Sequence, residues 1–315
     1  MHYQEQQIVL HTEAGYGRRL PLDFSGDVFR QLAPMMMSSV RMAIEGTSVH
    51  VGAPPAWLRR ASDVRFVGIS EGSNRDSVLH MEAPGLGEAA EELYQQGTLW
   101  ETRPAPDDTA LNVFARVTRE VRQGNPDSAL YDLQLLKHLS HSNRLFQQKM
   151  ISMDLPEKTG TTQLDREVAI RATELSQRTP SPRQVRVVGH LDMIRHSTRS
   201  FEMLLEEGKA VRGILEDGDY MASLRDLLGQ TVLVIGKAVY RPSGSLLRID
   251  AQAVSAGNGV PKLFAKVPPP MEHRPTTIRY RVGEQAKRGV PGFFGKWPGE
   301  ESDEELLAML RDVRG

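Results

Sequence analysis

Between Val185 and Val254 apolar and polar residues alternate in short runs separated by glycine-bearing turns, the period of a β-strand half buried on one face. Val185 to Ile194, Ser200 to Glu206 and Ala210 to Glu216 read as three strands, with Gly208 between the latter two. Asp217 and Asp219 sit where a helix is capped, and Met221 to Leu228 reads as a short helix stopped by Gly229. Thr231 to Tyr240 and Leu246 to Val254 are two further strands, joined by Pro242-Ser243-Gly244. Strands this short need several neighbours and a shared core, so the stretch is expected to form a small β-barrel around which the other parts are arranged.

The order strand, strand, strand, helix, strand, strand over these residues resembles the oligonucleotide/oligosaccharide-binding (OB) barrel. That resemblance implies single strands or oligosaccharides bound on one face, with aromatic side chains stacking on bases. Phe201, Tyr220 and Tyr240 are the aromatic residues of the region, and its acidic and basic residues balance at about nine each. A barrel gripping nucleic acid is expected to be more basic. A nucleic-acid reading rests on Arg195, Arg199, Lys237, Arg241 and Arg248 clustering on one face, and a structural or protein-binding barrel is the alternative.

Residues 1–180 read as an α+β domain, residues 181–256 as the OB-like barrel, residues 257–298 as a tether and residues 299–315 as an amphipathic helix. Gln7 to His11 is a short strand, and Asp23 to Ser25 signals a helix start. Pro34 breaks that pattern, so the methionine-rich helix Met35 to Glu45 is expected to begin there, with its methionines in the core or an interdomain contact. Val64 to Gly68 and Val78 to Glu82 form a hairpin, and a helix follows from Pro84 to roughly Gln95. Thr109 to Gln123 has helical spacing at Leu111, Phe114, Val117 and Val121, with Gly124 as its stop. Asp127 or Ser128 is expected to start the next helix, a short strand lies near Ile151, and another helix runs from about Leu164 to Gln177. Thr179-Pro180-Ser181-Pro182 marks the boundary with the barrel.

Gly68-Ile69-Ser70-Glu71-Gly72 matches the nucleophile-elbow pattern, with His190 or His273 as a possible base, but a hairpin loop follows instead of the helix that the elbow requires. His138 and His141 share a helical face at a spacing of three, without the acidic partner of a zinc motif, and read as a polar surface pair. Asp107-Asp108 is a possible cation ligand pair but reads more simply as a helix start. Gly85-Leu86-Gly87 lacks the third glycine of a dinucleotide fingerprint, and there is no Walker loop. With no cysteine, thiolate metal sites, disulfides and cysteine nucleophiles are excluded. No catalytic residue, metal ligand or cofactor is assigned. The net charge of −1 nominates neither nucleic acid nor membrane, and no run of about 18 apolar residues exists to span one. Met1 to Leu10 lacks the basic and apolar regions of a signal peptide, so a cytoplasmic protein is expected.

The texture changes after Gly257. Pro261, Pro268 to Pro270, Pro275, Pro291 and Pro298 work against a compact domain, and the stretch is basic, including Arg279-Tyr280-Arg281. Phe293, Phe294, Lys296 and Trp297 precede Ser302, which with Glu305 forms a capping box ahead of Leu306, Leu307, Met309, Leu310 and Val313. An amphipathic helix this short is marginal alone and must dock on something. The segment from Gly295 to Leu306, ending in Arg311 and Arg314, resembles the C-terminal tails of bacterial antitoxins paired with PIN-domain ribonucleases. The resemblance covers about 20 residues and implies that Leu306, Leu307 and Leu310 lie in a groove of the nuclease while Arg311 or Arg314 approaches its acidic, metal-binding centre. Such antitoxins are usually short, whereas about 290 residues precede this tail. The expectation is a non-catalytic binding protein with a protein partner; a nucleic-acid-binding protein is second and a serine hydrolase using Ser70 third.

Overall fold

Strand β1 (Tyr3–Thr12) is the centre of a five-stranded antiparallel sheet ordered β2-β3-β1-β4-β5. The others are β2 (Arg65–Glu71), β3 (Ser77–Pro84), β4 (Met150–Glu157) and β5 (Gly160–Asp165). The computed structural model describes residues 1–49, 52–95, 103–147, 150–215, 224–257 and 264–270. The chain divides into Met1–Glu272 and His273–Gly315, and the fold below belongs to the first unit. The expected tail helix and its aromatic anchor lie outside the described residues.

Alternation gives the sheet one buried face, carrying Ile8, Leu10, Leu79, Met81, Met153, Leu155 and Leu164. Helix α1 (Leu22–Glu45) and the short α2 (Ala56–Ala61), α3 (Leu86–Ala89) and α4 (Glu91–Tyr94) precede α5 (Ala110–Gln123), which packs directly on the sheet. Helices α6 (Leu133–His141), α7 (Asn143–Gln147) and α8 (Arg166–Arg178) complete the layer. Thr109 caps α5 in a reciprocal pair with Asn112, and Gly124, the stop expected from the sequence, closes it in the left-handed region.

Three expectations are corrected. Helix α1 does not begin at Pro34 but runs through it, because its apolar stripe continues unbroken from Phe24, Val28 and Leu32 to Met35, Met36 and Val40. The proline forfeits one intrahelical bond, a loss of about 3 kcal/mol, and burying several large side chains at about 1.5–3 kcal/mol each outweighs it. Helix α6 starts not at Asp127 or Ser128 but after Asp132, whose carboxylate accepts the Leu135 N–H at 3.1 Å. Leu164 belongs to strand β5, which the polar run Gly160 to Gln163 gives no sign of, and α8 starts behind its own cap, Asp165.

The second part is a closed five-stranded barrel: β6 (Arg183–Arg195), β7 (Ser200–Leu204), β8 (Ala210–Leu215), β9 (Thr231–Tyr240) and β10 (Leu246–Ala256). Their order is β10-β8-β7-β6-β9, closed by β9 on β10, and β8 with β10 is the parallel pair. Val185, Val187, Phe201, Val232, Val234 and Ile249 fill the interior. Gly213 is required there, since a Cβ on it would lie 2.1 Å from the Phe201 ring.

Two arginines of the barrel fasten it to the α+β part at the end of α1. Arg248 of β10 donates to the Gly46 carbonyl (3.0 Å), to Asp132 (3.3 Å) and to the Thr47 hydroxyl (3.2 Å), while its Nε–H bonds Asp250 at 2.7 Å. Arg212 of β8 donates to the Glu45 carbonyl at 3.0 Å. Helix α1 has no basic residue in its last turn, so these guanidiniums complement its negative end. Asp132 also accepts from the Ser48 amide (3.0 Å) and hydroxyl (2.6 Å), which satisfies a carboxylate almost fully withdrawn from water. A second tie runs from Ser243 N–H to the Pro126 carbonyl (3.2 Å) and from Ser245 to Asp127 (2.8 Å). Among the described residues no helix is long and apolar enough to cross a membrane.

Candidate functional site

The face of the sheet turned away from the helices is polar and lies open. Register puts Glu5 opposite Glu82, Gln7 opposite His80 and Val9 opposite Val78. A bulge between Phe66 and Gly68 on β2 sets Gly68 opposite His80, so Ser70 is the diagonal neighbour of His80 on the same face. Their side chains meet at 2.7 Å, Ser70 Oγ to His80 Nε2. Ser70 therefore sits within a strand and not on a strand-to-helix turn, and its partner is His80. His190 lies on barrel strand β6, and His273 is outside the described residues. Among the described residues no carboxylate bonds His80, so the third member of a triad is not assembled. Beside the pair, a cavity of about 510 Å³ is lined by Glu5, Gln7, Val67, His80, Glu82 and Thr161.

Farther along the same face His11 is clamped between two carboxylates, Nδ1 to Asp76 at 3.1 Å and Nε2 to Asp154 at 3.0 Å. Partial burial pulls its pKa down, but the hydrogen bond and charge of Asp154 together with those of Asp76 prevail and raise it above the ordinary imidazole value. Sequence spacing carries no sign of this clamp, because the three residues come together only through the pairing of β1 with β3 and β4.

His138 and His141 line a second cavity, of about 330 Å³, facing α1. Asp27 of α1, which the sequence could not place near them, lines the same cavity, 3.2 Å from Arg30. Burial first, and then the neighbouring His141, lower the His138 pKa, against a raising influence from Asp132. Asp107 and Asp108 do not start α5, since Thr109 caps it. They instead hold Lys158 at 2.6 and 3.1 Å. No group of three or more histidine or carboxylate side chains suited to a metal ion is present among the described residues.

The five basic residues considered for a nucleic-acid face differ in exposure and partners. Arg248 and Arg195 are buried, at 6% and 8% exposure, and Arg248 belongs to the joint. Arg241 turns back on its own hairpin, bonding Ser245 and the Leu246 carbonyl. Arg199 is half-buried with φ of 51°, and Lys237 is exposed on β9. Burial lowers the Arg195 pKa, and burial with the charges of Arg248 and Arg195 pushes Arg212 down to about 10. Arg279, Tyr280, Arg281, Phe293, Phe294, Lys296, Trp297, Leu306, Leu307, Leu310, Arg311 and Arg314 all fall outside the described residues. Compared with protein-family models, with curated proteins and with solved structures, the chain gives no match.

Proposed function

We propose that this is a non-catalytic binding and regulatory protein that engages a protein partner through residues 299–315, with the aromatic segment Phe293, Phe294 and Trp297 as anchor. The observation that carries this reading is the tail sequence itself: a Ser302–Glu305 capping box, acidic residues in the first turn and the apolar set Leu306, Leu307 and Leu310 behind a proline-rich, basic stretch. Such a helix gains its stability from an apolar groove on the partner. The proposed partner is a nuclease of the PIN type, restrained by Arg311 or Arg314 at its acidic centre, as in a cytoplasmic toxin–antitoxin pair. Arg248 and Arg241 are occupied within the protein, which favours this reading over a basic barrel face. Co-purification with a co-expressed PIN-domain ribonuclease tests it: the full chain should retain the nuclease and a truncation at Pro291 should not. Equal recovery by both would sink the reading.

A second reading takes the barrel as OB-like and nucleic-acid-binding. The observation in its favour is the order β10-β8-β7-β6-β9 with the third and fifth barrel strands parallel, an arrangement that suits the OB topology. Lys237 and Arg279-Tyr280-Arg281 would make its contacts. Its test is affinity for single strands as salt rises, because phosphate contacts must weaken steeply. A salt-independent or absent signal removes it.

A further inference from the structure

The cavity between the first half of α1 and the α6–α7 corner takes no part in the function proposed above, and its wall is selective. His138 and His141 project from α6, Arg144 follows on α7, and Arg30 faces them from α1. Two guanidiniums that stay charged at any physiological pH repel a divalent cation, so the histidine pair is misplaced for a metal. The one carboxylate of the wall, Asp27, lies 3.2 Å from Arg30, which leaves Arg144 uncompensated. Among the described residues the side chains of Arg144 and His141 have no hydrogen-bond or ion-pair partner, whereas that of His138 is within reach of Gln134 (3.3 Å) and Ser38 (3.4 Å). Pro34 and Met35 supply an apolar floor.

From this geometry we infer that the cavity binds the oxyanion of a small phosphorylated molecule, with Arg144 and His141 as principal donors and the Pro34–Met35 floor against its organic part. A guanidinium and a protonated imidazole give charge-assisted hydrogen bonds to a phosphate, and about 330 Å³ is within the range of small-ligand pockets. The site also couples anion to proton. Burial and then His141 lower the His138 pKa, against Asp132, while Asp27, Arg30 and Arg144 are the charged groups lining the cavity with it from α1 and α7. An anion beside the imidazoles favours their protonation, so anion binding and imidazole protonation reinforce each other.

The test uses the full chain with inorganic phosphate and phenyl phosphate as probes, following the imidazole proton resonances of all nine histidines by NMR at constant ionic strength. The expected result is saturable shifts at His138 and His141, a raised pKa for both, and tighter binding of phenyl phosphate than of phosphate. The exposed pair of changes Arg144→Gln and His141→Gln should leave the fold intact by circular dichroism and weaken binding about tenfold or more. The proposal is overturned if the shifts fail to saturate, if chloride at equal ionic strength reproduces them, or if the double variant binds as the parent does.

Discussion

His11 is the residue whose protonation the structure most clearly uses. Its folded pKa is raised, so its pairing with Asp76 and Asp154 stabilises fully below the unfolded imidazole value and is lost as pH rises through the folded one. Urea midpoints measured between about pH 5 and pH 8 should therefore fall with rising pH, and His11→Asn should flatten that part of the profile. An unchanged slope in the variant would show that the clamp carries no linkage. Arg248 makes the opposite kind of contribution, charge held in place by charge. Burial would raise the Asp132 carboxyl, but Arg248 and the bonds from Ser48 and Leu135 hold it below the usual carboxylate range. Replacing Arg248 by Met strands that carboxylate and is expected to cost about 3–5 kcal/mol in chemical denaturation. A loss under about 1 kcal/mol would mean that water reaches Asp132.

At the scale of elements, α1 carries the most information. Gly46 ends it with φ of 77°, and a Cβ there would stand 2.5 Å from the Arg212 guanidinium, which is pinned on the Glu45 carbonyl. Gly46→Ala should therefore destabilise by about 2–4 kcal/mol, combining left-handed strain with a displaced hydrogen bond, as read by thermal or urea unfolding. Pro34→Ala restores the missing N–H and is expected to stabilise by about 1–3 kcal/mol, with weaker stability pointing instead to a kink that the packing needs. The same helix shows what a sequence can and cannot disclose. Thr231 to Tyr240 was legible to the residue, because alternation survives where one strand face is core. Pro34 misled, because a local rule about one hydrogen bond competes with a stripe of buried side chains two turns long on either side. Strand β5 was silent: Gly160 to Gln163 is polar and its inward Leu164 looks like the start of α8. Of the sites, Ser70 and the histidine pair were visible as residues, but their surroundings were not. His80 reaches Ser70 through a bulge, and Asp27 of α1 shares a cavity with the histidines of α6.

For the whole molecule, the joint decides whether two architectures behave as one. Arg248, Arg212 and the Ser243–Ser245 turn tie the barrel to three separate points of the α+β part: the end of α1, the cap of α6 and the Pro126–Asp127 turn. The first part is complete by Arg178, whereas the barrel closes only when β10 lies parallel to β8, with Gly213 beside Ile249 and Leu215 beside Ala251. Pairings of that kind are slow to form, and synthesis delivers them last. Pulse-labelled hydrogen exchange during refolding should protect amides of β1, β3 and α5 before those of β8 and β10; simultaneous protection would contradict this order. Asp132 is 116 residues ahead of the arginine that neutralises it. During synthesis the nascent sheet and helices thus carry an acid without its counter-ion, and the final strand of the barrel delivers it, so the arrival of β10 both seals the barrel and completes the cap of α6.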